Sequence, residues 1–228
     1  MKLLNVGHNA KTIKSDKLKK FLTGILYLAP AKTSGFNTCV SHTKACSDNC
    51  LFYAGFGRYT KIRQYRINKT LMFFNDRQKF ISLLEKDLQS LITKCEKLSI
   101  KPAVRLNGTS DLGWEKLVPH IFTNYQQITF YSYTKVKNRY QQFLDGKLPS
   151  NSYYVFSRSE KNENDCIEFL NKGGSVAVVG FKRPKVWQGF KTIDGDRHDL
   201  IFTLPRNRVI WLKPKGLAKK DTSNFVIR

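Results

Sequence analysis

Long apolar runs are missing from this chain. The longest, such as "VAVV" at 176 to 179, are far too short to cross a bilayer. The amino-terminal stretch "MKLLNVGHNAKTIKSDKLKK" has no apolar core of the kind a signal peptide needs, so a soluble protein is expected, acting in the cytoplasm. No Walker loop, G-x-S-x-G elbow or H-E-x-x-H helix is present, which removes three common routes to nucleotide, ester and zinc-peptidase chemistry. There is no repeat and no low-complexity tract, and this excludes solenoids and linkers. The four histidines, His8, His42, His120 and His198, are too scattered for a triad or a three-histidine zinc site.

Acidic residues are also scarce. There are 17 Asp and Glu against 40 Lys and Arg, giving a formal net charge of +23. Such an excess says nothing about fold, but its field draws polyanions in a salt-dependent way, and nucleic acid is the expected partner. A membrane surface is a poorer match, because no basic amphipathic helix is long enough to lie on it. A hydrophobic content of 41% in 228 residues is enough for a substantial core without staples. One domain over residues 1–228 is expected.

What the chain does have is alternation. Short β-type runs appear at 24–30, 102–108, 128–134, 152–157 and 175–181, and "DLIFTLP" and "RVIWLKPKG" follow as the last two. Helical patterns separate them. From Asp76 to Lys97, Phe80, Leu83, Leu84, Leu88, Leu91, Ile92 and Cys95 recur at steps of three and four, which marks one helix face and places Cys95 in the core. "WEKLVPHIFTNY" reads as one short helix, and Gly146 closes another. Strands alternating with helices predict an α/β fold, a mainly parallel sheet of βα units forming an open sheet or a partial or irregular barrel.

In such sheets ligands collect at the carboxyl ends of the strands. Polar residues cluster there, and the expected rim pocket comprises Arg105, Asn107, Ser110, Asp111, Lys135, Glu160 and Lys213. In "RLNGTSD" Ser110 or Asp111 is also placed to cap the next helix, and Ser159 has the same choice in "SRSEKNEND". "IDGDRHDL" reads as a turn between strands. "YTKIRQYRINKT" interleaves cations with aromatics, as single-stranded nucleic acid requires, or else is a helix with a basic outer face.

The densest signal is the loop at about 36–58, which follows the first predicted strand and contains Cys39, Cys46 and Cys50 in C-x6-C-x3-C spacing. Three thiolates on one loop can hold three irons of a 4Fe-4S cluster and leave the fourth open. With His42 they also make a four-ligand set suited to zinc. A third possibility is ordinary reduced cysteines. A strand, a cysteine loop, a helix and further βα units resemble the layout of radical S-adenosylmethionine enzymes, which favours iron. The spacing departs from their C-x3-C-x2-C pattern, and no "GGE" segment follows the second strand, so S-adenosylmethionine lacks its usual contact.

The segments "SGFNTCVSHTKACSDNCLFYAGFGR", "RINKT", "RLNGTSDLGWE", "YSYTK", "SRSEKN", "IDGDRHDL" and "LKPKGLAKKD", in that order, resemble the bacteriophage gene-product-88-like family across nearly the whole chain. This resemblance implies a viral protein acting in a bacterial host cell, with Cys39, Cys46 and Cys50 matched and His42 not required.

Overall fold

A computed structural model describes residues 1–7, 12–13 and 20–228. His8 lies outside them. The fold is mixed α/β, built on one nine-stranded, mostly parallel sheet in the order β1-β2-β3-β4-β5-β6-β9-β8-β7. The strands are β1 (Leu4–Val6), β2 (Phe21–Leu26), β3 (Lys101–Arg105), β4 (Thr129–Thr134), β5 (Ser152–Ser157), β6 (Val176–Val179), β7 (Val186–Trp187), β8 (Phe190–Asp194) and β9 (Val209–Leu212). Strands β2 to β6 and then β9 lie side by side in chain order, all parallel. β1 and β7 run antiparallel to β2 and β8.

The helices are α1 (Lys44–Asp48), α2 (Thr60–Asn75), α3 (Arg77–Lys97), α4 (Trp114–Leu117), α5 (His120–Asn124), α6 (Lys137–Leu144) and α7 (Glu163–Asn171). α3 forms where its apolar spacing predicts. Asp76 caps it by accepting the Lys79 amide at 3.2 Å, and Phe80, Leu84, Leu88, Leu91, Ile92 and Cys95 are buried. Two expectations need correction. The single helix across Pro119 is two short ones, α4 and α5, since the ring at Pro119 cannot continue a helix and instead starts the second. "DLIFTLP" is not a strand: Ile201–Thr203 is a 3-10 turn that packs on the sheet.

The two sheet faces differ. Leu26, Val104, Phe130, Phe156, Val178 and Val209 point to the side packed by the helices. Their alternates Ala103, Tyr131, Val155, Ala177 and Ile210 point to the other side, where Leu200 and Ile201 cover them. Arg105 and Tyr133 lie on this second face nearer the carboxyl ends. The chain's last residues return to the carboxyl end of β6. Ile227 bridges to Gly180, its amide donating to the Val179 carbonyl at 2.9 Å.

Candidate metal centre

The loop leaving β2 is tied to the loop leaving β3, and this tie places the first cysteine, whose Sγ lies 3.9 Å from Thr109 O. The Gly108 amide donates to Leu26 O at 2.9 Å and Thr109 Oγ1 to Leu28 O at 2.5 Å. Thr38 Oγ1 donates to Ala29 O at 2.6 Å, and the Asp111 amide to Thr38 O at 2.8 Å. Only glycine fits at 108: a Cβ there would lie 2.7 Å from Leu26 O and 2.6 Å from the Tyr27 ring. Cys39 follows Thr38 directly.

α1 places the second cysteine. Thr43 is its N-cap, accepting the Cys46 amide at 3.1 Å, and the same hydroxyl donates to Glu160 Oε2 at 2.9 Å. Glu160 thus ties the cysteine loop to the rim beyond β5. Cys50 comes next, its Sγ accepting the Phe52 amide at 3.4 Å to cap the 3-10 turn Leu51–Tyr53.

All three thiols are free and half-buried. Burial raises Cys39, and the Asp111 and Cys46 charges raise it further. Burial pushes Cys50 up to about 12, with Cys46 and Cys39 adding to the rise and Lys135 opposing it. The charge of Cys46 reaches both of the other thiols, although the three are not drawn together as metal ligands. Without a metal this setting keeps Cys39 and Cys50 protonated.

Two cations lie by the thiols. Lys135, at the end of β4, donates to Ser157 Oγ at 3.1 Å. Burial lowers its pKa, but Cys46 and Asp111 outweigh this and leave it raised. Arg66 of α2 is 8% exposed and lies against Tyr27 and Phe52, its guanidinium carbon 4.6 and 5.6 Å from the two ring centres. Its Nη1 has no hydrogen-bond partner, and burial lowers its pKa while Cys50 holds it up. Sequence reading left Arg66 either to nucleic acid or to a basic outer face. The visible signal was its spacing from Thr70 and Phe73, which puts all three on the buried stripe of α2.

The other rim residues divide. Asp111 is taken up as a strut. Its Oδ2 accepts the Lys135 amide at 2.8 Å and Thr134 Oγ1 at 3.2 Å, while Oδ1 accepts Arg139 at 2.5 Å. Neither Ser110 nor Asp111 caps the next helix, whose N-cap is Gly113. Asn107 and Ser110 serve the fold: Asn107 Oδ1 accepts Ser110 Oγ, the Leu112 amide and Trp114 Nε1 at 2.9 to 3.1 Å. Ser159 does not cap α7 either; Asn162 holds the N-cap position without a side-chain cap bond, its Oδ1 instead accepting the Ser159 amide at 2.6 Å. Arg105 pairs with buried Asp199 at 3.3 Å and lies 4.9 Å from the Tyr133 ring, on the face of the sheet rather than among the thiols. Lys213 is exposed, its amide donating to Asp196.

His42 Nδ1–H donates to the Cys39 carbonyl, which leaves Nε2 for any ligand role. Among the described residues no group of three or more His, Cys, Asp or Glu side chains is gathered to hold a metal ion. The carboxyl end of the chain closes one side of the region: Ala45 and Cys46 pack with Val179, Phe225 and Val226, and Arg158 Nη1 holds Asn224 O at 2.9 Å. Sequence reading gave this tail no role.

No described helix is long and apolar enough to cross a membrane. No curated protein and no solved structure matches the chain. The family model for gene product 88 matches residues 2–228, and the chain belongs to that family of phage proteins.

Proposed function

We propose that Cys39, Cys46 and Cys50 hold a 4Fe-4S cluster and that the chain is a phage-encoded iron–sulfur enzyme of the radical S-adenosylmethionine type, working in the host cytoplasm with one iron open to the rim. One observation supports this: two cations lie by the half-buried thiols, half-buried Lys135 beside Cys46 and buried Arg66 near Cys50, and neither has an ion pair with a carboxylate among the described residues. Binding iron deprotonates the thiols, and the anionic cluster then supplies what both cations lack. A cluster also asks less convergence of the thiols than a single ion does, because each sulfur binds a different iron. A zinc ion on Cys39, His42, Cys46 and Cys50 would need all four side chains to close in.

The sheet order supports the same reading. Six parallel strands neighbour one another in chain order, as a partial barrel of βα units requires, and the cysteine loop leaves the first of them. In this reading Asp111 fixes Lys135, Thr43 and Glu160 fix Cys46, and the tail at Phe225 keeps water from one side. Electron paramagnetic resonance of the reduced, anaerobic protein tests the open iron. A spectrum that changes when S-adenosylmethionine is added supports the enzyme. An indifferent spectrum favours the second reading, a nucleic-acid-binding protein whose cluster is structural, which the +23 charge supports.

A further inference from the structure

The turn after Cys50 presents an unusual surface. Phe56 and Tyr59 are 65% and 60% exposed, and Tyr53 is 37% exposed, within one seven-residue stretch. Single exposed apolar residues are ordinary, but three aromatics on one turn are not. The turn is also built to hold its shape. Arg63 of α2 donates to Gly57 O at 3.1 Å, Arg58 O at 2.9 Å and Thr60 Oγ1 at 3.2 Å. Gly57 is pressed so closely under Phe52 that a Cβ would lie 1.9 Å from its carbonyl oxygen. The rings therefore face outward on a fixed backbone, and little order is lost when something covers them.

Charge selects the occupant. Arg58 and Lys61 on the turn are exposed, and a second basic strip lies alongside, since a Cβ on Gly216 would be 3.0 Å from the Cβ of Ala54. That strip offers Lys219 and Lys220 to solvent, while Lys215 pairs with Asp196 at 2.9 Å. Of the nearby acids, Asp48 pairs with Lys44 and Asp196 with Lys215, while Asp221, 7% exposed, keeps its charge turned inward on Asn49 and Ser223.

We infer that this aromatic turn and its flanking lysines bind single-stranded nucleic acid, with bases stacking on Phe56 and Tyr59 while the cations follow the phosphates. Flat rings spaced among cations suit unpaired bases and not a duplex, whose bases are already stacked. The inference rests on the nucleic-acid reading of the net charge and is independent of the cluster.

Fluorescence anisotropy with labelled 20-nucleotide single strands of DNA and of RNA, and with the matching duplex, tests it on the full chain. The single strand of either kind is expected to bind more tightly than the duplex, weakening as salt rises. Phe56→Ala with Tyr59→Ala is expected to weaken binding by about 10- to 100-fold, while Phe56→Tyr with Tyr59→Phe, which keeps both rings, stays within about threefold of the parent. Equal binding by the alanine variant overturns the surface but leaves the nucleic-acid reading intact. No binding to any strand overturns both. Binding to anionic phosphatidylglycerol vesicles, lost in the alanine variant and without strand binding, assigns the turn to a membrane instead and overturns the proposal.

Discussion

Asp111 holds Lys135 by its backbone: one carboxylate oxygen accepts the Lys135 amide at 2.8 Å, and the other pairs with buried Arg139 at 2.5 Å. The strut joins the loop that carries Cys39 to the end of the strand that carries the lysine. Asp111→Asn should therefore cost more than a surface change. Removing this carboxylate leaves Glu115 as the one ion-pair partner of buried Arg139 among the described residues, beside its bonds to Asp111 O and Thr134 Oγ1, and a loss of roughly 2 to 4 kcal/mol is expected. Urea unfolding measures it, and a loss below about 0.5 kcal/mol would contradict the strut.

Arg66 separates function from stability. Its buried Nη1 has no hydrogen-bond partner, and its contacts in the apo protein are mainly with the Tyr27 and Phe52 rings. Arg66→Met keeps most of the packing on Tyr27 and Phe52, and apo stability is expected to change by less than about 1 kcal/mol. Iron and sulfide reconstitution is expected to raise the melting temperature of this variant less than that of the parent. An equal rise in both would show that Arg66 does not face the cluster.

Lys135→Met tests the other cation on the loaded protein. If the thiols held a cluster, a nearby unit positive charge at an effective dielectric near 20 would be worth on the order of 1 to 3 kcal/mol to the reduced state. Losing it should lower the reduction potential by on the order of 100 mV, read by dye-mediated titration. A potential unchanged or raised would place Lys135 elsewhere.

Cys166 gives a pH dependence remote from the loop. It is fully buried on α7, and burial pushes its thiol up to about 12. The folded value lies above the unfolded value of 9.0, so its contribution is complete below about pH 9 and is lost as pH rises toward 12. The stability gap between the parent and Cys166→Ala should shrink by about 1.4 kcal/mol per pH unit above that point. Urea midpoints of reduced protein at pH 8 and pH 10.5 measure it, and a constant gap would refute it.

Much of the fold was legible because local pattern and tertiary placement agree. The period-3.6 stripe of α3 and the β-branched run of β6 each require one kind of burial, and both form where their residues demand. β1 was not legible, since Leu4–Val6 is too short to carry a pattern and exists only by pairing with β2. Pro119 and Ile201–Thr203 failed for the reverse reason: apolar runs of that length fit strand, helix or turn equally. The cysteines and Lys135 were visible as chemistry at strand ends. Which rim residues act as struts was not, because Asn107, Ser110 and Asp111 look alike in sequence whether they meet a ligand or Trp114, Leu112 and Arg139. Arg105 was hidden in the same way, its partner Asp199 lying 94 positions away.

Iron and acid-labile sulfide, counted per chain after anaerobic isolation and reconstitution, decide whether the three thiols hold a cluster. About four of each are expected, with a brown protein, and Cys39→Ala, Cys46→Ala and Cys50→Ala should each lose most of both. A colourless protein with about one zinc per chain and no sulfide would contradict the proposal, as would a full cluster in Cys46→Ala.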